Sequence, residues 1–330
     1  MSISNKVYFD KATTWSQNEE NTEIFMVRTS PDSQFIASCF SNGIVHLSSS
    51  STGRISYSLT QSEAQYPATS VRFHPKENRF LYTVSADGKI KEWNIKNPND
   101  STWSHNETDN QIYSLEITPS GDKFITGGKD CKLRVYDNLS KSIITELGRN
   151  EFDLESTRGH CNRIYSIISN PQNPEIIYSA GWDDTVQIWD LRTSSPVRAL
   201  FGPHVSADSL DIHSNILLAG SWRTHSQFLL WDTRTFSQLR AFPWAIGTDD
   251  IQCRVYACKF TPDGNFIIAG GSGVNELKIF SLINYQSVED PLLLPGPAFS
   301  FCYYKTGHDD QIAVGTKTDD IISHKIQFIM

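Results

Sequence analysis

The sequence predicts an all-β fold of similar sheets arranged around an axis, and three observations predict it. Residues 176–192 (IIYSAGWDDTVQIWDLR) contain a short apolar strand, a turn and a half-buried strand that ends on Trp189-Asp190. This hairpin recurs along the 330 residues at a period in the forties. The segments between its copies lack the apolar period of helices. Short strands repeated in this way are typical of the radial blades of a β-propeller.

Five of the repeats begin with a strand that ends shortly before a proline. These prolines are separated by 44, 44, 52 and 91 residues, and they are Pro31, Pro75, Pro119, Pro171 and Pro262. The last spacing is about two periods, so a copy without proline is expected near residue 213, where the sequence reads Leu210-Asp-Ile-His213. Phe301-Cys-Tyr-Tyr304 begins another copy. A second strand, a small turn and a third strand follow each start, so the sequence predicts a seven-bladed β-propeller of four-stranded antiparallel blades.

We expect a single domain over residues 1–330. The expected blades span approximately residues 24–59, 66–97, 105–147, 159–200, 202–242, 253–288, and 296–328 plus 6–10.

The repeats resemble those of the WD40-repeat β-propeller family. Copy four matches the family positions best, with Gly159-His160, Ser179, Asp183 and Trp189-Asp190. Copies two and three match at fewer positions, namely Thr83, Asp87 and Trp93, and Thr126, Asp130 and Tyr136. His160, Ser179 and Asp183 superficially suggest a serine hydrolase. The resemblance instead implies that these three residues and Trp189 form a buried structural tetrad joined by hydrogen bonds.

The resemblance also implies how the ring closes. In the family an N-terminal strand completes the last blade, and Lys6 to Phe9 precede the first inner strand of this chain. We therefore expect Val7 and Phe9 to pair beside Ile322 to Ile326, so that the ring is closed by an N-terminal strand.

Composition argues against several classes of ligand. The net charge is −8 and no dense Lys/Arg run occurs, so neither nucleic acid nor an anionic membrane is expected as a partner. The N-terminus lacks the pattern of a signal peptide, and we expect a cytoplasmic or nuclear protein. The six cysteines fit no common zinc motif, and Ala269 to Gly273 lacks the helix and Lys-Ser/Thr of a phosphate loop. We therefore expect neither a metal nor a cofactor.

The resemblance also implies which residues face a partner. In the family, residues beside the inner-strand starts and before the turn aspartate usually contact partners. Carried over by position, they form a ring of aromatic and arginine side chains: Arg163, Tyr165, Trp182, Trp222, Arg223, Tyr113, Tyr256, Phe25 and Phe299. Trp, Tyr and Arg dominate the energetics of protein interfaces. We therefore expect a non-catalytic scaffold that binds protein or peptide partners, itself monomeric within a larger complex. The alternative that these rings only pack between blades stays open.

Two features refine this hypothesis. Trp182 and Trp222 occupy turns where smaller residues are usual, so the sharpest prediction is a site at blades four and five anchored by these indoles, Arg163 and Arg223. Two Trp-Asp-X-Arg motifs end at Arg192 and Arg234, on the opposite face. They resemble the adaptor-docking motifs of propellers that are substrate receptors of cullin-RING ubiquitin ligases, although such an arginine often only pairs with a neighbouring carboxylate.

An enzyme site in the central channel is the third hypothesis, and it requires convergent titratable residues there.

Overall fold

The computed structural model describes residues 6–149, 158–193, 195–245, 251–288 and 290–329. They form 28 strands in seven four-stranded sheets, and every strand pairing is antiparallel. The predicted seven-bladed propeller is therefore confirmed. None of the described residues lies in a helix, so none contributes to an apolar helix long enough to span a bilayer.

The first three blades each use four consecutive strands, from the inner to the outer edge. Blade one contains β2 (Ile24–Thr29), β3 (Phe35–Phe40), β4 (Ile44–Ser49) and β5 (Ile55–Thr60). Blade two contains β6 (Ala68–Phe73), β7 (Phe80–Ser85), β8 (Lys89–Asn94) and β9 (Asn97–Asn106). Blade three contains β10 (Ile112–Ile117), β11 (Lys123–Gly128), β12 (Leu133–Asp137) and β13 (Ile143–Leu147).

The next three blades repeat this order, and the seventh takes one strand from the N-terminus. Blade four contains β14 (Ile164–Ser169), β15 (Ile176–Gly181), β16 (Thr185–Asp190) and β17 (Ser195–Phe201). Blade five contains β18 (Leu210–His213), β19 (Ile216–Gly220), β20 (Phe228–Asp232) and β21 (Gln238–Phe242). Blade six contains β22 (Arg254–Phe260), β23 (Phe266–Ser272), β24 (Glu276–Ser281) and β25 (Leu292–Leu293). Blade seven contains β26 (Ala298–Thr306), β27 (Asp309–Thr316), β28 (Asp320–Ile329) and β1 (Lys6–Ser16).

Closure of the ring by an N-terminal strand is confirmed, because β1 pairs antiparallel with β28. Phe9 lies opposite Ile326, as predicted, whereas Val7 lies opposite Phe328, two residues beyond the predicted range. The observed strand is also longer than the predicted one and continues to Ser16, which lies opposite Asp320. The added part carries Trp15, a buried residue that packs on blade one.

The apolar cores lie between neighbouring blades. Seven clusters of buried residues are present in the described part of the chain, and each joins two adjacent blades. The cluster between blades seven and one includes Trp15, Ile36, Phe40 and Ile321. Gly53 completes it, because a Cβ at this position would lie only 2.1 Å from Cγ of Trp15. Closure therefore depends on apolar packing as well as on the hydrogen bonds between β1 and β28.

The extent of blade two differs from the expectation. The sequence placed residues 98–104 between blades, but Asn97–Asn106 forms β9, the outermost strand of blade two. Its residues are mostly polar and exposed, because an outermost strand faces solvent. Such a strand lacks the apolar alternation that marks the inner strands.

Candidate functional site

The inner strands carry a repeated β-bulge at the mouth of the central channel. In six of the seven inner strands the pairing with the second strand shifts by one residue, at Phe25, Thr69, Tyr113, Tyr165, Tyr256 and Phe299. A bulge redirects the side chain of the extra residue. The five aromatic side chains at these positions line one cavity of about 420 Å³, to which all seven blades contribute residues. The bulges thus place aromatic rings from different blades around one opening.

These rings continue into an aromatic arc that also includes side chains from the loops of blades four and five. The centroids of successive rings lie 5.9, 5.3, 6.2, 6.5, 5.9, 5.3 and 4.8 Å apart, in the order Phe25, Phe299, Tyr256, Trp222, His204, Trp182, Tyr165 and Tyr113. The arc is open at blade two, where Pro67, Thr69 and Ala86 line the cavity. Contacts of this kind hold aromatic rings in defined orientations.

Each of the two turn indoles lies beneath an arginine. The Trp182 side chain is 36% exposed, and its Nε1 donates a hydrogen bond to Oγ of Ser206 at 3.0 Å. The guanidinium carbon of Arg163 lies 5.1 Å from the Trp182 ring centroid, and that of Arg254 lies 4.6 Å from the Trp222 centroid. Nε1 of Trp222 is buried and has no hydrogen-bond partner within the described ranges. Both pairs have the geometry of a cation–π contact.

A glycine allows this arrangement in blade four. Gly181 ends β15, and a Cβ on it would lie 1.8 Å from the carbonyl oxygen of Arg163. The same carbonyl accepts a hydrogen bond from the backbone N–H of Trp182 at 3.0 Å. Since only glycine tolerates this approach, Gly181 brings the backbones of Arg163 and Trp182 together. Gly271 has the same relation to Arg254, with a distance of 1.9 Å.

Arg223, predicted as an anchor for a partner, has a partner within the propeller. Its Nη2 lies 2.7 Å from Oδ2 of Asp184, in the turn of blade four. Nδ1 of His204 lies 2.8 Å from the other carboxylate oxygen. Asp184 therefore links blade four to two residues of blade five. The sequence prediction omitted His204, although its position after Gly202-Pro203 parallels Gly159-His160 at the entry to blade four.

The four side chains assigned to the structural tetrad are connected in blade four. Nδ1 of His160 lies 2.7 Å from Oδ2 of Asp183, and its Nε2 lies 2.7 Å from Oγ of Ser179. Nε1 of Trp189 donates to the same hydroxyl at 2.7 Å. Burial raises the pKa of Asp183, but hydrogen bonds from His160 and Thr185 outweigh burial and hold this pKa below its usual value. The His160 and Asp183 side chains are at most 1% exposed, so a substrate in solution does not reach them.

Equivalent series of hydrogen-bonded side chains are present in blades two and three. In blade two the Thr83 hydroxyl donates to Gln61 and accepts from the Trp93 indole. In blade three the carboxylate of Glu107 accepts hydrogen bonds from Thr126 and Tyr136. These bonds satisfy the buried hydroxyl groups of Ser179, Thr83 and Thr126.

A cluster of charged side chains lies in the channel beneath the aromatic rings. Asp208 lines the cavity, is buried, and forms ion pairs with Arg28, Arg72 and Lys259. Nε of Arg72 also lies 3.0 Å from Glu116. Burial lowers the pKa of Lys259 to about 8. These carboxylates are thus held by cations of the protein.

The charged cluster is relevant to the third hypothesis, an enzyme site in the central channel, because that hypothesis requires convergent titratable residues. The channel contains carboxylates and a lysine in addition to aromatic and arginine side chains, so titratable groups do converge there. The sequence prediction missed four of them, although these four occupy one repeat position, three residues before a proline, namely Arg28, Arg72, Glu116 and Lys259. No group of three or more His, Cys, Asp or Glu residues in the described ranges is arranged to hold a metal ion.

Arg192 and Arg234 lie at the other end of the propeller. Each follows the third strand of its blade, whereas Trp182 follows a second strand that runs in the opposite direction. The guanidinium of Arg192 binds the Asp190 carboxylate with contacts of 2.9 and 2.6 Å, and Arg234 binds Asp232 with contacts of 3.2 and 2.7 Å. The two arginine side chains are 63% and 68% exposed. Both arginines are therefore accessible from solution, although each already forms an ion pair with an aspartate of its own blade.

Comparison with known proteins adds a family match and several relatives. The model of the family described as "WD domain, G-beta repeat" matches residues 54–94, 99–137, 153–190 and 247–274. F-box/WD repeat-containing protein 4 of Mus musculus is 30% identical over 189 residues, which are 55% of this chain and 43% of the relative. Pre-mRNA-processing factor 19 of Bos taurus is 26% identical over 196 residues, 58% of this chain and 35% of the relative.

A fungal relative has a shorter match. Ribosome biogenesis protein ytm1 of Pyrenophora tritici-repentis (strain Pt-1C-BFP) is 29% identical over 129 residues, 39% of this chain and 26% of that protein. The aligned part of the chain spans less than half the length of each of the three relatives. The similarity therefore concerns a part of each relative and not its whole length.

Proposed function

Since this chain belongs to the WD40-repeat β-propeller family, we propose that it is a non-catalytic scaffold that binds a protein or peptide partner at the aromatic arc. The WD-repeat relatives support a role in protein interaction. The observation that carries the proposal is the continuous arc of eight rings around a cavity of about 420 Å³. We place this function in the cytoplasm or the nucleus.

The environment of the rings suits recognition. All of them except the exposed Trp182 are half-buried, so one side of each ring packs on the protein and another remains available. Tyr113 and Tyr165 stack with an interplanar angle of 12°, and both line the cavity. Rings held by their neighbours lose little conformational entropy when a partner binds. Packing between blades and contact with a partner are therefore compatible roles for the same side chains.

We expect the double substitution Trp182→Ala and Trp222→Ala to lower the affinity for a partner at least about tenfold, because tryptophans at interface centres contribute most to binding. The measurement is quantitative mass spectrometry of proteins co-purified with the tagged chain, after circular dichroism has shown that the variant is folded. Trp103→Ala is the matched control, since Trp103 lies on the outer strand β9. Undiminished recovery of the same partners by the double variant would refute the proposed site.

Adaptor docking through Arg192 and Arg234 is the second candidate function. Two highly exposed guanidinium groups follow the third strands of consecutive blades, each held in place by an aspartate. If this surface docks a cullin-RING adaptor, Arg192→Ala with Arg234→Ala should abolish adaptor co-purification. Arg54→Ala is the control, because Arg54 is exposed in the corresponding loop of blade one. Retained adaptor binding, or no adaptor with the wild-type protein, would contradict this function.

A further inference from the structure

We propose that the segment bound at the aromatic arc is an acidic peptide, which places an apolar side chain in the cavity and its carboxylates on Arg163 and Arg254. This inference rests on the proposed function and adds the chemistry of the partner. It follows from the distribution of paired and unpaired charges around blades four to six.

Among the described residues of this sector, Arg163 and Arg254 are cations without a carboxylate partner. Each guanidinium lies over an indole, and neither forms an ion pair with a carboxylate of the described residues. A guanidinium carries several N–H donors, so the contact with an indole and the hydrogen bond of Arg163 to the Tyr165 hydroxyl leave donors that can bind an anion. A carboxylate accepts two such hydrogen bonds in parallel. Both arginines are therefore suited to hold acidic side chains.

Two carboxylates near the same opening, both in the part of the chain that the structure describes, are already paired with cations. Asp184 is held by Arg223 and His204. Asp208, at the cavity wall, is ion-paired with three cations of the channel and only 6% of its side chain is exposed. A lysine or arginine from a partner would find no free carboxylate at these two positions. The local charges thus disfavour a basic peptide.

The net charge of −8 does not reverse this preference. At physiological ionic strength, charges farther apart than about 8 Å are largely screened. The contact is therefore governed by the groups at the opening. Distant surface acids mainly reduce the rate at which an acidic peptide arrives.

The cavity favours an apolar anchor. Its volume of about 420 Å³ is lined by five aromatic rings and by small residues of blade two. This volume accommodates one or two apolar side chains of a peptide. An apolar residue with acidic neighbours would fill the cavity and bind both arginines together.

Single-stranded RNA also combines stacking on aromatic rings with arginine contacts. It needs a positively charged groove that follows successive phosphates, however. The described part of this opening provides two unpaired guanidinium groups, which match two carboxylates of a short peptide better than a run of phosphates. We therefore assign the site to a peptide and treat RNA as an outcome of the test.

The test selects ligands from a random library, so the natural partner need not be identified first. Displayed peptides of about 12 residues are panned on the full chain, and recovered peptides are labelled with fluorescein for polarisation measurements. We expect Asp and Glu to be enriched beside Leu, Ile or Phe. Arg163→Gln with Arg254→Gln should weaken binding at least about tenfold, whereas the corresponding double lysine variant, which keeps the charge, should weaken it about threefold.

Controls separate the local charge from general effects. Arg54→Gln, at an exposed arginine on the opposite face, should leave affinity unchanged. Raising the salt concentration from about 0.05 to about 0.5 M should weaken binding to the wild type more than to the glutamine variant. Melting curves of every variant show that it is folded.

Several results would overturn the inference: no acidic enrichment, an unchanged affinity of the glutamine variant, or tighter binding of a fluorescein-labelled oligouridylate than of any peptide. Failure to recover a peptide would also count against it. If a recovered non-acidic peptide still loses affinity on Trp182→Ala with Trp222→Ala, the acidic assignment fails while the proposed site stands. If neither double variant affects binding of the recovered peptides, both fail.

Discussion

Deletion of residues 1–16 is expected to lower the midpoint of thermal unfolding by about 10 °C. The deletion removes β1, the outer strand of blade seven, and leaves the polar backbone groups of β28 without their partners. It also removes Trp15, which is 8% exposed and packs in the cluster between blades seven and one. Loss of a buried tryptophan alone costs about 3 to 5 kcal/mol. Each kcal/mol lowers the midpoint by about 2 to 4 °C in a large domain.

The strand and its tryptophan can be tested separately. Trp15→Ala should produce a substantial part of the shift, because it empties the space beside Gly53 while β1 remains paired. Thr14→Ala is the control on the same strand, since Thr14 is exposed. Deletion of residues 1–5 preserves β1 and should have little effect. Differential scanning fluorimetry provides the measurement, and an unchanged midpoint after deletion of residues 1–16 would contradict the closure.

The substitution Trp189→Ala is expected to reduce the free energy of unfolding by about 3 to 5 kcal/mol. Trp189 is fully buried between blades three and four, beside Ile125, Ile164 and Ile177. Its removal leaves a cavity and takes away the indole donor bound by Ser179. Urea unfolding followed by circular dichroism measures the loss.

Trp189→Phe distinguishes packing from hydrogen bonding. This variant retains most of the apolar ring but lacks the indole N–H, so its cost should be about 1 to 2 kcal/mol. Affinity for a selected peptide, measured where both variants are folded, should remain near that of the wild type because Trp189 does not line the cavity. A loss below about 1 kcal/mol for the alanine variant would contradict the assigned structural role.

The sequence was most informative where structure depends on local pattern. Alternating strands and Trp189-Asp190 indicated the blades, because strand alternation is visible within a few residues. The family resemblance indicated that the residues after Lys6 close the ring. β9 was not predicted, since a polar outer strand has no apolar face to reveal it. The family resemblance predicted that Tyr165, Trp182 and Trp222 lie on one face of the propeller. Their contact with a partner is a proposal.

Other parts of the site depend on contacts between distant residues. A bulge such as that at Tyr165 is a shift in the register of two strands, and residue types alone do not record it. The pairing of Asp184 with His204 and Arg223 requires the packing of blade four against blade five. The charged cluster could have been predicted from the sequence, because Arg28 and Arg72 occupy the same position in their repeats.

At two of the bulges, the residue proposed to contact a partner is not one that holds the blades together. Phe25 and Tyr256 occupy positions outside the regular ladder, and neither belongs to the buried clusters that join the blades. Tyr165 differs, because it packs against the cluster between blades four and five. Substitution of Phe25 or Tyr256 is therefore expected to reshape the opening while the blades keep their packing, whereas substitution of Tyr165 would alter both.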